Sequence, residues 1–235
     1  MTALLSAHSL TARYGDMPAL HGVDVEVEAG ETIAPIDANG AGKSTLLRSM
    51  MGEMRVSPEM VRLDGQPVGG TAPDRMVRQG VAIVPEGRRL FFRYDGRREP
   101  ARRLGARGVS SGHALDVRPD LRSVPDPERQ AQGAQPTAVR QSAADGGHRP
   151  RVLLCDEISL GLAPEVIGEI YAALPQVTGN GTALVLVEQD VGLVQRASQR
   201  LYCLLEGRVT VQGRSNEISR EAIGAGCFGV GHDLD

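Results

Sequence analysis

Asp37-Ala38-Asn39-Gly40-Ala41-Gly42-Lys43-Ser44-Thr45 follows directly on the apolar run Thr32 to Ile36, and its reading decides the fold. The short apolar run suits a buried strand, and a helix is expected from Lys43 to about Met51. Strand, small-residue loop and helix in that order match the phosphate-cradling pattern G-x-x-x-x-G-K-[ST] at every fixed position except the first, where Asp37 stands for glycine. Small residues let backbone N–H groups close around a phosphate, and the helix N-terminus adds the positive end of its dipole. In such a loop Lys43 reaches the outer phosphates and the Ser44 hydroxyl ligates Mg²⁺. Asn39, Gly40, Ala41, Gly42 and Thr45 complete the candidate cradle. Lys43 is also the only lysine among 26 basic residues. Where nearly every cation is arginine, a retained ammonium marks a place that needs a compact point charge.

Outward from this loop, Val23 to Val27 alternates in period two, and Val61 to Leu63 and Val81 to Val84 read as further strands, with a helical stretch starting near Pro73 between them. A second apolar run, Val152-Leu153-Leu154-Cys155, ends in Asp156-Glu157. Beside a phosphate loop, such a terminus offers one carboxylate, Asp156, to the Mg²⁺ shell and another, Glu157, to polarise an attacking water. A helix from Pro164 to about Gln176, a strand Ala183 to Val187, a helix Val191 to Ala197 and a hairpin of Leu201 to Leu205 with Val209 to Val211 follow. Strands alternating with helices predict an α/β fold with a largely parallel sheet.

Composition narrows the function. The 235 residues carry a net charge of -3, without the excess of Lys and Arg that a nucleic-acid surface needs, so no nucleic-acid partner is expected. No apolar stretch is long enough to span a bilayer and the N-terminus lacks a signal-peptide pattern, which predicts a cytoplasmic protein. Cys155, Cys203 and Cys227 are widely spaced and read as buried free thiols.

Together with Tyr14-Gly15, these residues resemble the ATP-binding cassette ATPases. Val84-Pro85-Glu86-Gly87-Arg88-Arg89-Leu90-Phe91, Ser159-Leu160-Gly161-Leu162-Ala163-Pro164 and Val187-Glu188-Gln189 look like one branch of them, the ATPase subunits of bacterial branched-chain amino acid importers. The resemblance covers about residues 3–92 and 151–229. It implies a P-loop NTPase core with a mainly parallel sheet, an antiparallel β subdomain and a helical subdomain, all in one nucleotide-binding domain over 1–235. It also implies ATP and Mg²⁺ as cofactors, with Tyr14 stacking on adenine, Glu86 in the loop that senses Mg²⁺ and the membrane partner, Glu157 as a catalytic residue and Gln189 at the switch position. Read from its own surroundings, Tyr14 is equally a half-buried strand aromatic. The implied partners are transmembrane permease subunits, a second ATPase subunit and, indirectly, a substrate-binding protein, with the chain peripheral on the inner face of the cell membrane.

The pattern breaks in places. Asp37 brings a negative charge to where phosphate approaches, Pro35 removes a ladder donor from a presumed central strand, and Ile158 replaces the proline that usually follows Asp-Glu in the family. Residues 93–150 hold only seven of Leu, Val, Ile, Met and Phe against eleven Arg, too little apolar surface to offset the entropy of ordering. This is where the family carries its helical subdomain and an LSGGQ-like motif, so that subdomain is expected to be disrupted. Codons chosen for Tyr94 to Pro100 and read one base later give MTVEENL. On the same shift, the stretch from Asp120 to Ala131 ends in FPILKDRR, and Ala138 to Pro150 gives LSGxQQQMAAIGR. All three strings resemble the family and follow its order, so the segment reads as out of frame between two compensating shifts. These departures leave a second expectation beside the importer ATPase, a degenerate product that binds nucleotide without turnover. Sequencing the gene across codons 93–150 is expected to reveal the shifts; an intact frame with no family-like peptide in the next one would overturn the reading.

Overall fold

The computed structural model describes residues 3–37, 40, 42–85 and 149–229, which belong to one folded unit. Its first half runs β1 (Leu5–Tyr14), β2 (Met17–Val27), β3 (Thr32–Asp37), α1 (Lys43–Met51), a single helical turn Pro58–Met60, β4 (Val61–Leu63), β5 (Gln66–Pro67), α2 (Pro73–Arg78) and β6 (Val81–Val84). The second half runs β7 (Val152–Asp156), α3 (Pro164–Thr178), β8 (Ala183–Val187), α4 (Val191–Ala197), the hairpin β9 (Arg200–Leu205) and β10 (Arg208–Arg214), and α5 (Arg220–Phe228). The expected disruption of 93–150 lies outside the described residues except for Arg149 and Pro150.

Two sheets form, one antiparallel in the order β2-β1-β4-β5 and one of six strands in the order β10-β9-β3-β8-β7-β6. In the larger sheet β9, β3, β8, β7 and β6 run parallel, and only β10 is antiparallel. The sequence of β7 and β8 explains this placement. Every residue of Val-Leu-Leu-Cys-Asp and of Ala-Leu-Val-Leu-Val is buried, as strands covered on both faces must be. Strand β3 alternates between two cores: Ile33 packs with Leu46, Leu47 and Met50 of α1, while Ala34 and Ile36 pack with Val194, Leu201 and Ile223 on the other face.

Pro35 is accommodated by a gap in the ladder. Glu31 accepts from Leu184 N–H and Thr32 from Gln199 N–H, each at 2.8 Å, so alternate residues from Glu31 onward face β8. Pro35 is one of them and has no N–H to offer. The β3–β8 register accordingly ends at Ile33↔Val185, while the β3–β9 register continues to Asp37↔Leu204.

Strand β1 and helix α5, like the short β5 and the turn Pro58–Met60, escaped the sequence reading. Strand β1 loses its period-two pattern at His8-Ser9, where Ser9 takes a φ of +43° and the register with β2 shifts. Helix α5 contains Gly224 and Gly226, poor helix formers, yet Ser219 Oγ caps it by accepting from Ala222 N–H at 3.2 Å. Gly226 is needed there for close approach, since a Cβ would come within 2.8 Å of Val211 Cγ2 and 3.2 Å of Cys203 Cβ. All three cysteines are buried and free, as expected. At the end of β3 remote from the phosphate loop, Arg200 grips Glu31 at 2.6 and 2.9 Å and Glu26 at 3.0 Å, fastening the antiparallel layer to the larger sheet.

Candidate functional site

The loop after β3, the segment after β7 and the segment after β8 meet at one edge of the larger sheet. Parallel register is the cause: Asp156 stands opposite Val187, so both chains leave the sheet at the same level. Asp37 and Lys43 bracket the loop on the neighbouring strand. Gly42 caps α1 at a φ of +114°, with Leu20 Cδ2 only 2.6 Å and Ala19 O 3.1 Å from where a Cβ would sit, so glycine alone fits. The cap residue Gly42 has no side chain to offer, so apart from Lys43 N–H, which meets Asp37 Oδ2 at 3.4 Å, the positive end of the α1 dipole is left directed at the loop.

A cavity of about 150 Å³ opens here, lined by Asp37, Gly40, Gly42, Lys43, Ser44, Thr45 and Glu157. Its most consequential contact is internal. The Lys43 ammonium forms an ion pair with the Asp37 carboxylate and lies 3.4 Å from the Asp37 carbonyl oxygen. Both side chains are almost wholly buried, and the Lys43 N–H also points at Asp37 Oδ2, at 3.4 Å. Burial pulls the ammonium below its ordinary pKa, and the Glu157 and Asp156 carboxylates oppose that pull. Asp37 therefore holds the one cation of the loop, besides placing a like charge near any phosphate.

Ser44 Oγ lies 3.4 Å from Asp156 Oδ1, so a hydroxyl and a carboxylate from two elements converge on one point. Oxygen donors of this kind fit a hard cation that completes its shell with water and phosphate. Glu157 lines the same cavity and receives a hydrogen bond from Gln189 Nε2 at 3.0 Å. Tyr14 is 47% exposed, and its hydroxyl lies 3.4 Å from Thr45 Oγ1 and 3.5 Å from Arg48 NH1. That position, beside the loop with an exposed ring, is compatible with stacking on a base. Asn39, Ala41 and Glu86 lie outside the described residues. Sequence reasoning missed Glu188, buried next to Gln189; its signal was a carboxylate directly after five apolar residues.

The geometry predicts the behaviour of Lys43→Ala. Mg-ATP binding is expected to weaken by at least about tenfold, since the only ammonium of the cradle is gone. The variant also leaves Asp37 as an uncompensated buried charge, a change that costs about 3–5 kcal/mol of stability in comparable cases. Titration with a fluorescent nucleotide and denaturant unfolding read the two effects, and equal affinity in variant and parent would remove the loop from the nucleotide site.

Comparison with known proteins bears on the whole chain. A family model described as ABC transporter matches residues 20–159. The high-affinity branched-chain amino acid transport ATP-binding protein BraG of Pseudomonas aeruginosa is 34% identical over 218 residues, covering 88% of this chain and 91% of that protein. The hemin import ATP-binding protein HmuV of Streptomyces coelicolor is 30% identical over 94% of this chain and 81% of its own length. Among solved structures, cbiO1 of Clostridium perfringens, described as part of the ABC transporter complex cbiONQ, superposes with a TM-score of 0.63 at 19% identity, covering 95% of this chain and 93% of that one. The matched motif region, the near full-length relatives and the parallel sheet with its phosphate loop agree: the chain belongs to the ABC transporter family, as one of its ATP-binding proteins.

Proposed function

We propose that this chain is the ATPase subunit of an importer of branched-chain amino acids. The observation that carries the reading is the near full-length likeness to the Pseudomonas branched-chain protein, which exceeds the likeness to the hemin import protein. The Val187-Glu188-Gln189 and Ser159 to Pro164 wording supports the same branch. No helix among the described residues is long and apolar enough to cross a membrane, which fits a subunit that works with separate permease chains. In this reading the chain is one nucleotide-binding domain that pairs with a second ATPase subunit and docks on permeases at the inner face of the membrane. A substrate-binding protein then delivers the amino acid from the other side.

At the site, Lys43 and the first amides of α1 hold the outer phosphates, with Asn39, Gly40, Ala41, Gly42 and Thr45 shaping the cradle. Ser44 and Asp156 hold Mg²⁺, assisted through Glu86, and the ion when bound neutralises charge on the phosphate oxygens. Glu157 polarises the attacking water, Gln189 keeps the Glu157 carboxylate in place, and Tyr14 stacks on adenine. Lys43 must leave Asp37 before it meets a phosphate. That requirement favours a second reading, a subunit that binds nucleotide weakly and turns it over little or not at all.

Gene deletion in the source cell tests the proposal. Uptake of labelled leucine, isoleucine and valine is expected to fall and uptake of hemin to stay unchanged, with recovery from a wild-type copy but not from Lys43→Ala. Loss of hemin uptake with branched-chain uptake intact would contradict the substrate assignment. Recovery from the Lys43→Ala copy would favour the subunit without turnover.

A further inference from the structure

Glu188 is a buried carboxylate with no part in the roles above. It follows the wholly apolar strand β8, is 2% exposed, and has both oxygens occupied. Ser159 donates to Oε1 through its backbone N–H at 3.0 Å and to Oε2 through its hydroxyl at 2.6 Å. The Tyr171 hydroxyl, on α3, donates to Oε1 at 3.1 Å. Hydrogen bonds to a carboxylate are short and strong compared with neutral ones. Burial raises the Glu188 carboxyl above its ordinary range and the three donors oppose that rise. Burial and the neighbouring Glu188 push the Tyr171 phenol up as well, so Tyr171 stays a donor at neutral pH.

The flanking residues make the grip meaningful. Glu157 N–H donates to Val187 O at 2.8 Å, and Gln189 Nε2 donates to Glu157 Oε2 at 3.0 Å. Segment 157–159 is thus laced to segment 187–189, and Glu188 supplies two of the four bonds. The lacing has work to do, because Glu157 sits at a φ of +46°. A non-glycine residue in that left-handed region costs about 1–3 kcal/mol and persists only where its surroundings over-determine it.

We propose that Glu188 is a positioning residue for Glu157: by gripping Ser159, two residues on, its carboxylate holds the turn that directs the Glu157 side chain toward Gln189 and the rim of the phosphate cavity. The functional part rests on the reading of Glu157 as the residue that polarises water. The positional part rests on the hydrogen bonds alone.

Hydrogen exchange on the full chain without nucleotide reads the positional part. In Glu188→Ala the amides of 157–160 are expected to exchange at least about tenfold faster, while those of β7 and β8 keep the parent's rates. Glu188→Gln, which retains one acceptor oxygen for Ser159, falls between. Steady-state hydrolysis reads the functional part: kcat is expected to drop at least about tenfold in Glu188→Ala with KM within about twofold, the split of a group that acts on the chemical step. A Glu157→Gln variant with unchanged turnover would remove the Glu157 reading and leave the exchange result to decide the clamp. Unchanged exchange at 157–160 in folded Glu188→Ala, or equal loosening of β7 and β8, overturns the proposal. Should Glu188→Ala fail to fold, Ser159→Ala and Tyr171→Phe each remove one donor, and unchanged exchange in both overturns it equally.

Discussion

Strands β3, β7 and β8 lie side by side in the larger sheet, and their parallel pairing is the constraint on which the site depends. It brings Asp37 and Lys43, Asp156 and Glu157, and Glu188 and Gln189 to one end of the strands, although the first pair lies more than a hundred residues before the other two along the chain. Asp37 and Asp156 are the last residues of β3 and β7 and the other groups lie just beyond the strands, so the apolar interior of β3, β7 and β8, buried on both faces, holds none of them. They are acceptable where the strands end, because each finds a partner there. An ion pair holds Lys43, a serine hydroxyl meets Asp156, a glutamine holds Glu157, and three donors hold Glu188.

One of these partnerships is unlike the others. The Asp37–Lys43 pair satisfies a buried ammonium, yet that ammonium is the group that holds phosphate in the proposed function. Nucleotide binding becomes an exchange of one anion for another rather than a simple gain. If separating the pair costs about 3 kcal/mol, at the low end for buried pairs, affinity falls by about a hundredfold relative to a loop with glycine at this position. In the empty protein the same pair keeps two buried charges matched, so folding and binding draw on Lys43 in opposite directions.

Much of this was legible in the amino acids. The apolar runs at 32–36, 152–155 and 183–187 located the central strands, and the loop between Asp37 and Lys43 pointed to the candidate site, because burial on both faces and a phosphate-loop pattern each leave a strong compositional mark. Other features left none. Strand β1 was hidden by the bulge at Ser9 and α5 by its glycines, since both are fixed by packing rather than by local preference. Asp37 was read as repelling phosphate, but its larger effect, holding Lys43, is a contact across the loop that spacing does not reveal. The Glu188 clamp likewise joins residues 29 apart in the chain through the turn at Glu157, and only the folded register brings them together.

Calorimetric titration of Mg-ATP into the parent and into Asp37→Gly tests the central claim, that Asp37 and phosphate compete for Lys43. Asp37→Gly removes the competing carboxylate and gives the loop the glycine it otherwise lacks. The account predicts that the variant binds at least about tenfold more tightly than the parent, a gain of about 1.4 kcal/mol or more. Equal or weaker binding by a folded Asp37→Gly protein would contradict it.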